Sequence, residues 1–328
     1  MDIRKSVLVS LVVWLLAPTA GAAAMTGRAV VTNNQRLYRE ARVRSKAVGR
    51  LTIGEEVTVT GRQGDLLEIS LPNQKAGWTL ANGLIVLDDN PHAAALLFEA
   101  ADSMAQSNSL DSWQAAARLF RKAAALGCAT GLQPVPAGGK PSAQAQAAQA
   151  ESLCHSPYAA EAAFRAAELA WQAEIRQTGA PSDKGSLADL AAVTRTYAKT
   201  PAAARAAFLL LRNSLCEHWD GTPGCPATEV GLISDYLQHY ANSVHAAEAR
   251  YAIAYRHAAL VEIYLAKDKP HFSPEKAVEH KARALAACEQ LAQDPVATLW
   301  RVRAERLIWS LQNNVGVYSD IQVALRKQ

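Results

Sequence analysis

The chain has 328 residues, which is enough for two domains of ordinary size. Beyond the N-terminus no apolar run approaches the roughly 20 residues of a membrane-spanning helix, which argues against such a segment. The formal net charge is +4, and the positive excess is concentrated in one part. Residues 27–87 carry nine Lys and Arg against five Asp and Glu, whereas residues 88–328 carry 23 against 24. Composition changes near Pro91, where β-branched residues and glycine give way to alanine.

The N-terminus has the pattern of a secretory signal peptide. Arg4 and Lys5 form a positive region, residues 7–16 are apolar, and small residues at 20–24 match a signal-peptidase site. A buried N-terminal helix is the alternative. No cysteine lies at the cleavage site, so a lipid anchor is not expected. We predict that residues 1–24 are a cleaved signal peptide and that the mature protein is soluble and exported, to the periplasm or outside the cell.

Residues 27–88 have the pattern of a small β-domain. Apolar and polar residues alternate in short runs, such as 57–59 and 67–69. Turn residues separate these runs every eight to ten positions, as at 33–34 and 72–73. Period-two alternation with frequent turns predicts a small all-β barrel.

Several residues of this segment follow a specific order and spacing. They are Leu37-Tyr38-Arg39, Ser45, Val48-Gly49, Leu51, Gly54, Val57-Thr58-Val59 and Gly77-Trp78. In this order they resemble the bacterial SH3 (SH3b) domain. The resemblance implies an SH3-like barrel that binds cell-wall peptide or glycan in a groove lined by aromatic and polar loop residues. Tyr38 and Trp78 are the aromatic residues of the segment, and Trp78 is either a ligand platform or a core residue.

The same segment contains a cluster of basic residues. Six cations fall within fifteen residues, opposed only by Glu40: Arg36, Arg39, Arg42, Arg44, Lys46 and Arg50. Such a cluster attracts an anionic partner in a salt-dependent way, and the alternative is a solvated loop that serves solubility. No helix-turn-helix or finger pattern occurs, so no nucleic-acid partner is expected. The candidate ligand-binding residues are Arg36, Tyr38, Arg39, Arg42, Arg44 and Trp78.

The rest of the chain contains an internal repeat. Residues 156–164, 200–208 and 243–251 read SPYAAEAAF, TPAAARAAF and SVHAAEARY, at spacings of 44 and 43 residues. Each copy begins with Ser or Thr, the residue type of a helix N-cap, and two continue with Pro, which the first helical turn tolerates. Alanines spaced by three lie on one helix face and let a neighbouring helix approach closely. The pattern predicts helix–turn–helix units that bury their apolar faces by stacking.

With the turn Tyr240-Ala241-Asn242-Ser243 before the spaced alanines, these units resemble tetratricopeptide repeats of periplasmic envelope proteins. The resemblance implies a concave face that binds a protein or extended peptide and carries no chemistry of its own. An alanine-rich bundle without a groove is the alternative. We predict an α-solenoid over residues 92–328, with a Pro/Gly/Ala-rich insertion near 129–142. Its five helix pairs are expected at about 92–127, 143–177, 186–217, 228–266 and 274–313.

Five cysteines in an exported protein are expected mostly to form disulfides. Cys216 and Cys225 bracket a short turn-rich loop, so we predict a disulfide between them. A zinc site formed with His218 is the alternative, although no fourth ligand lies nearby.

The remaining cysteines are Cys128, Cys154 and Cys288. Cys128 and Cys154 are a possible second disulfide, and Cys288 is expected to be free and buried within a helix. No phosphate-binding loop, nucleophile motif or metal-ligand spacing occurs. We therefore expect no catalytic residues, no cofactor and no metal, and we predict that the protein is not an enzyme.

Together these patterns predict a multidomain protein, with a small all-β SH3-like barrel at 27–88 and an all-α helix-hairpin solenoid at 92–328. The expected function is that of a non-catalytic periplasmic adaptor. Its barrel docks to the cell wall, through peptidoglycan, or to another anionic envelope component, and its solenoid binds an envelope protein or peptide. The main alternative is a subunit of an envelope or secretion complex that makes only protein–protein contacts. A third interpretation, an accessory domain of a wall-hydrolysing enzyme, would need a separate catalytic module.

Overall fold

The computed structural model describes residues 26–129, 157–216, 218–294 and 298–317. The predicted signal peptide, Cys154 and nearly all of the predicted insertion lie outside the described residues. The chain divides into two compact units between Asp88 and Asp89. We call the first the sheet unit and the second the helical unit.

Seven strands form one antiparallel sheet in the sheet unit. They are β1 (Gly27–Val31), β2 (Gln35–Tyr38), β3 (Ala47–Leu51), β4 (Glu56–Gln63), β5 (Leu66–Ser70), β6 (Ala76–Leu80) and β7 (Leu84–Val86). One turn of 3-10 helix, Ala81–Gly83, precedes β7. The strand order is β3-β2-β6-β5-β4-β1-β7, so β2 pairs with β6 rather than with its sequence neighbour β1.

The sheet is open, which corrects the closed barrel predicted from the sequence. β3 and β7 end the strand order, and no pair among the described residues joins them. The ladders near these ends are short: β7 has three residues, and β2 meets β6 through one residue pair, Tyr38 opposite Trp78. A closed barrel needs a continuous ring of strand pairs, so the sheet keeps two free edges.

Period-two alternation forms the core of the sheet unit. Val57 and Val59 of β4 are buried in the core, whereas Thr58 between them is exposed. Glycine is required where β6 approaches β2 most closely. A Cβ added at Gly77 would lie 2.6 Å from the Tyr38 carbonyl oxygen, so any other residue would force the strands apart.

Nine α-helices form the helical unit in the part of the chain that the structure describes. They are α1 (Ala93–Ala105), α2 (Leu110–Ala129), α3 (Pro157–Thr178), α4 (Ser186–Thr196), α5 (Pro201–Ser214), α6 (Gly224–Tyr240), α7 (Ala246–Leu265), α8 (Pro274–Ala292) and α9 (Thr298–Gln312). Each helix packs against the next in chain order. Such sequential stacking lets each helix bury its apolar face on its neighbour. Within the described ranges, no helix has both the length and the apolarity needed to cross a bilayer.

The repeated alanines lie in the helix interfaces, as their spacing predicted. Five of the six are almost fully buried: Ala160, Ala203, Ala206, Ala246 and Ala249. In the second copy the predicted N-cap is also confirmed. Thr200 Oγ1 accepts a hydrogen bond from the Ala203 N–H at 3.1 Å, and α5 begins at Pro201. In the first copy, Ser156 lies outside the described residues.

The third copy starts its helix differently, and the predicted cap at Ser243 is wrong. α7 begins at Ala246, and its cap residue His245 makes no side-chain cap bond. The Ser243 hydroxyl instead shares a 2.7 Å hydrogen bond with Tyr236 Oη. Val244 stands where the other copies have Pro, so nothing presets the backbone after Ser243 for the first helical turn.

Candidate functional site

The cations of the basic cluster lie on a single hairpin of the sheet unit. β2 and β3 are joined by the loop 39–46, and we call residues 35–51 the basic hairpin. Arg36 on β2 lies directly opposite Arg50 on β3. Directly opposite residues of antiparallel strands share a face, so these two side chains project from the same face of the hairpin.

The loop of the basic hairpin is ordered by its own backbone. The Arg39 N–H donates to the Lys46 carbonyl at 3.0 Å, and the Ser45 N–H donates to the Arg42 carbonyl at 2.9 Å. These bonds place Arg42 and Arg44 within the turn at the tip of the hairpin. The sequence cluster is therefore also a cluster in space.

All six cationic side chains of the basic hairpin are exposed. None of them forms an ion pair or a side-chain hydrogen bond with another described residue. Like charges directly opposite one another destabilise a strand pair, and the single acidic residue of this hairpin, Glu40, forms no ion pair with these cations. Its positive potential is therefore available to attract an anion, with a strength that salt reduces.

The two aromatic candidates lie opposite each other where β2 meets β6. Tyr38 is only 8% exposed and offers little ring surface to a ligand. Trp78 is half-buried, while its neighbours Gly77 and Thr79 are buried. The structure thus places both aromatics beside the loop of the basic hairpin, and Trp78 is the more accessible of the two.

β3 forms one edge of the sheet. It pairs with β2 on one side, and no described strand pairs with its other side. Residues 47–50 are exposed, and Leu51 alone in this strand is buried. Val48 of β3 is 40% exposed and Val43 of the loop is 49% exposed. The basic hairpin therefore combines unpaired cations, two exposed valines and a free strand edge.

In the helical unit, a disulfide and a buried ion pair hold the connection between α5 and α6. Cys216 and Cys225 are bonded, with their Cα atoms 6.1 Å apart. This bond confirms the predicted disulfide and contradicts the zinc alternative, because neither sulfur is a free thiolate. The Glu229 carboxylate accepts hydrogen bonds from the Cys216 N–H at 2.9 Å and from Trp219 Nε1 at 3.1 Å. It also pairs with Arg256 Nε of α7 at 2.7 Å.

Both charged groups of this ion pair are almost fully buried, with 1% exposure for Glu229 and 3% for Arg256. Burial lowers the pKa of the Arg256 guanidinium, and the Glu229 carboxylate opposes that shift. The Trp219 ring lies 5.6 Å from the guanidinium carbon. Removal of either partner would leave an unpaired charge in the interior, so the cluster is structural.

Ion pairs also join successive repeats. Arg205, the sixth residue of the second copy, pairs at 2.8 Å with Glu161, the sixth residue of the first. The same guanidinium lies 4.1 Å from the centroid of the Phe164 ring. In a similar way Arg165 reaches Asp102 of α1 at 3.3 Å. These ion pairs between side chains of different helices thus contribute to helix packing.

Two histidines meet between α7 and α8. The Nδ1 atoms of His257 and His280 lie 3.0 Å apart, a contact that requires at least one neutral ring. Burial, together with the smaller effects of His280 and Arg283, lowers the pKa of His257 to about 4. Burial also lowers the pKa of His280. Both rings are therefore neutral at pH 7, and Tyr264 stacks on His280 with centroids 5.4 Å apart.

Between the described helices are two cavities that differ in size. The larger, about 680 Å³, lies between the turn before α7 and the start of α9, beside Arg250 and Trp300. The smaller, about 260 Å³, is bordered by Arg121 and Asp189, which form an ion pair at 2.9 Å. No cluster of three or more His, Cys, Asp or Glu that could bind a metal occurs within the described ranges. Cys288 is a free, buried cysteine of α8.

No protein-family model matches the chain, and no curated protein matches it. A solved structure named "DHF58 filament" is 21% identical, over 68% of this chain and 93% of that chain, with a TM-score of 0.20. Chains with so low a TM-score do not share an overall arrangement, so this likeness carries no argument about fold or function.

Sequence reasoning missed the ion pair around the disulfide and the free edge of β3. Glu229 and Arg256 are 27 residues apart on different helices, so no local spacing marks them as partners. The sequence signal that could have revealed this pair is an acidic and a basic residue that each lie within an otherwise apolar helix face. The edge position of β3 depends on the strand order, which pairs β2 with the distant β6.

Proposed function

We propose that the protein is a non-catalytic adaptor of the cell envelope. Its sheet unit docks to the cell wall or to another anionic envelope component, and its helical unit binds a protein or peptide. The observation that carries the proposal is the basic hairpin, whose six exposed cations have no acidic partner among the described residues. Charge that does not pair within the molecule is available to bind an anion.

The two resemblances support the same proposal. The SH3b-like pattern of residues 27–88 favours peptidoglycan as the wall component, and most of its motif lies in or beside the basic hairpin. The tetratricopeptide-like pattern of residues 92–328 favours a protein or extended peptide as the partner of the helical unit. Sequential stacking of the helices is compatible with such a solenoid.

Export to the periplasm is part of the proposal. The Cys216–Cys225 disulfide supports it, because disulfides persist in oxidising compartments such as the periplasm. The signal-peptide pattern of residues 1–24 supports the same location.

Co-sedimentation of the full protein with purified peptidoglycan tests the docking. The informative variant is Arg42→Glu with Arg44→Glu, because both side chains are exposed in the loop rather than in a strand ladder. Lys75→Glu, an exposed cation in the turn between β5 and β6, is the matched control. We expect the bound fraction to fall by about tenfold in the double variant and in high salt, and to stay unchanged in the control.

Each other outcome has a definite meaning. If binding to peptidoglycan is unchanged by both high salt and charge reversal, uncharged contacts near Trp78 are responsible for it rather than the basic hairpin. Absence of any pelleting would contradict wall docking.

A purely protein–protein role is the second candidate, and a feature of α9 favours it. Leu299, Val302 and Trp309 share one face of the helix and are 58%, 56% and 58% exposed. Exposed apolar residues grouped on one surface are typical of protein contacts. If an envelope protein cross-links to the wild type but not to Trp309→Ser, and peptidoglycan does not bind, this candidate replaces the first.

A further inference from the structure

The outer edge of β3 is an unpaired strand that carries positive charge. β3 ends the strand order, and its residues 47–50 are exposed. One side of its backbone bonds to β2, and the other side has no described strand beside it. An extended peptide can add to such an edge through main-chain hydrogen bonds.

The side chains around this edge restrict which peptide fits. Arg50 projects from β3 on the same face as its cross-strand partner Arg36, and Lys46 precedes the strand. A carboxylate on an incoming strand would lie beside Arg50 at the distance of a cross-strand pair, whereas Arg36 is one strand further away and adds longer-range attraction. Val48, 40% exposed, offers a contact for an apolar side chain in the same strand.

Cations on an edge strand also have a protective role, since they discourage association with other strands. The cations repel a basic strand and neither attract nor repel a neutral one. An acidic strand is attracted. The hairpin contains one acidic residue, Glu40, against six cations, so the selection by charge is strong.

We propose that the free edge of β3 captures an extended acidic polypeptide segment, which adds to the sheet as an eighth strand with its carboxylates beside Lys46 and Arg50. This inference rests on the proposed function, because it names the anionic partner of the basic hairpin as a polypeptide strand. A wall polymer bound to the same cations is the competing outcome.

Three synthetic nine-residue peptides test the inference on the full protein. In the first peptide, Thr at every second position alternates with residues that are either Glu or Val. The second peptide has Lys in place of Glu. The third peptide has the sequence of the first, with alternate backbone amides methylated. We expect the first to bind at least about tenfold more tightly than the other two, because only it offers both carboxylates and backbone donors. On binding, amide hydrogen exchange at residues 47–50 should slow by at least about tenfold.

The matched variants are Arg50→Glu and Lys75→Glu. Charge reversal at Arg50 should weaken binding of the acidic peptide by about tenfold or more, and reversal at Lys75 should change it by less than about twofold. Equal binding of the Glu and Lys peptides, binding without slower exchange at 47–50, or no binding at all would each overturn the inference.

The same protein preparation separates this inference from the proposed function. Salt-sensitive pelleting with peptidoglycan, together with indifference to all three peptides, would leave the adaptor proposal standing and reject strand capture. Capture of the acidic peptide without pelleting would support strand capture and reject wall docking.

Discussion

The helical unit and the basic hairpin of the sheet unit use their charged side chains in opposite ways. In the helical unit, ion pairs join neighbouring helices: Glu229 with Arg256, Glu161 with Arg205, and Asp102 with Arg165. In the sheet unit, the six cations of the basic hairpin have no described partner. Paired charges restrict how the helices stack, whereas unpaired charges remain available for a ligand. Charge reversals should therefore affect stability in one unit and binding in the other.

The largest expected effect is the loss of the buried carboxylate in the helical unit. Glu229→Gln should lower the free energy of unfolding by about 3–5 kcal/mol, because it leaves the Arg256 charge buried without its counter-ion. Urea unfolding followed by far-UV circular dichroism measures the change. The matched control is Glu279→Gln, which breaks the exposed pair with Arg283 and should cost less than about 0.5 kcal/mol. Equal losses in the two variants would contradict the structural role of the buried pair.

The disulfide beside this pair should give the next largest effect. Replacing Cys216 and Cys225 by Ser opens a loop with a sequence separation of 9 and should cost about 2–3 kcal/mol. Thermal unfolding with and without a reducing agent measures it, and the reductant should not affect the double variant. Because the Cys216 N–H also donates to Glu229, the two changes share contacts and should not be additive. Strict additivity would show that the disulfide and the ion pair act independently.

Acidification should weaken the interface between α7 and α8. The pKa of His257 is about 4 in the folded protein and about 6.5 when unfolded, so the unfolded state takes up the proton first. Stability should therefore fall as the pH drops from about 6.5 to 4, by about 2 kcal/mol for this group. The groups that face it are His280, Arg283 and Glu279, of which only the carboxylate favours protonation.

Urea unfolding at pH 7 and pH 4.5 measures this dependence. In His257→Gln the difference in stability between the two pH values should shrink by about the same 2 kcal/mol. His239→Gln, a change at an exposed histidine of α6, is the control and should leave the difference as in the wild type. An unchanged pH dependence in His257→Gln would assign acid sensitivity to other groups.

The smallest expected effect on stability lies in the sheet unit, and its sign is reversed. Arg50→Glu should stabilise the sheet by about 0.2–1 kcal/mol, because Arg36 then faces an opposite charge. Hydrogen exchange of the sheet amides measures it, with Lys75→Glu as the control. A decrease in the stability of the sheet by more than about 1 kcal/mol would show that the Arg50 guanidinium has a structural role. That result would contradict the proposed difference between the hairpin cations and the paired charges of the helical unit.

For the helical unit, local signals in the sequence were sufficient for much of the fold. The Thr200-Pro201 start of α5, the buried alanines and the Cys216–Cys225 loop were all predicted from residues close together in the chain. They could be predicted because each helix packs on its sequence neighbour. Ser243 was the exception, since Val244 lacks the fixed backbone angle of proline and Tyr236 from α6 binds the hydroxyl.

For the sheet unit, the alternation of apolar and polar residues predicted the strands but could not show whether they form a closed barrel or an open sheet. The contact between β2 and β6 joins Tyr38 to Trp78, and no local pattern records that it is limited to one pair. The candidate site shows the same division. Arg36, Arg39, Arg42 and Arg44 cluster in the sequence and therefore could be predicted to cluster in space, whereas the free edge of β3 follows from the strand order.

The buried alanines of the helix interfaces, the disulfide and the basic cluster could be predicted from the amino-acid sequence alone. All of these depend on composition or on contacts between residues near in the chain. Three features are visible only in the folded protein: the open sheet, the buried pair of Glu229 and Arg256, and the edge position of β3. Each of these depends on which distant segments meet, and that choice is made by the packing of the whole unit rather than by any local pattern.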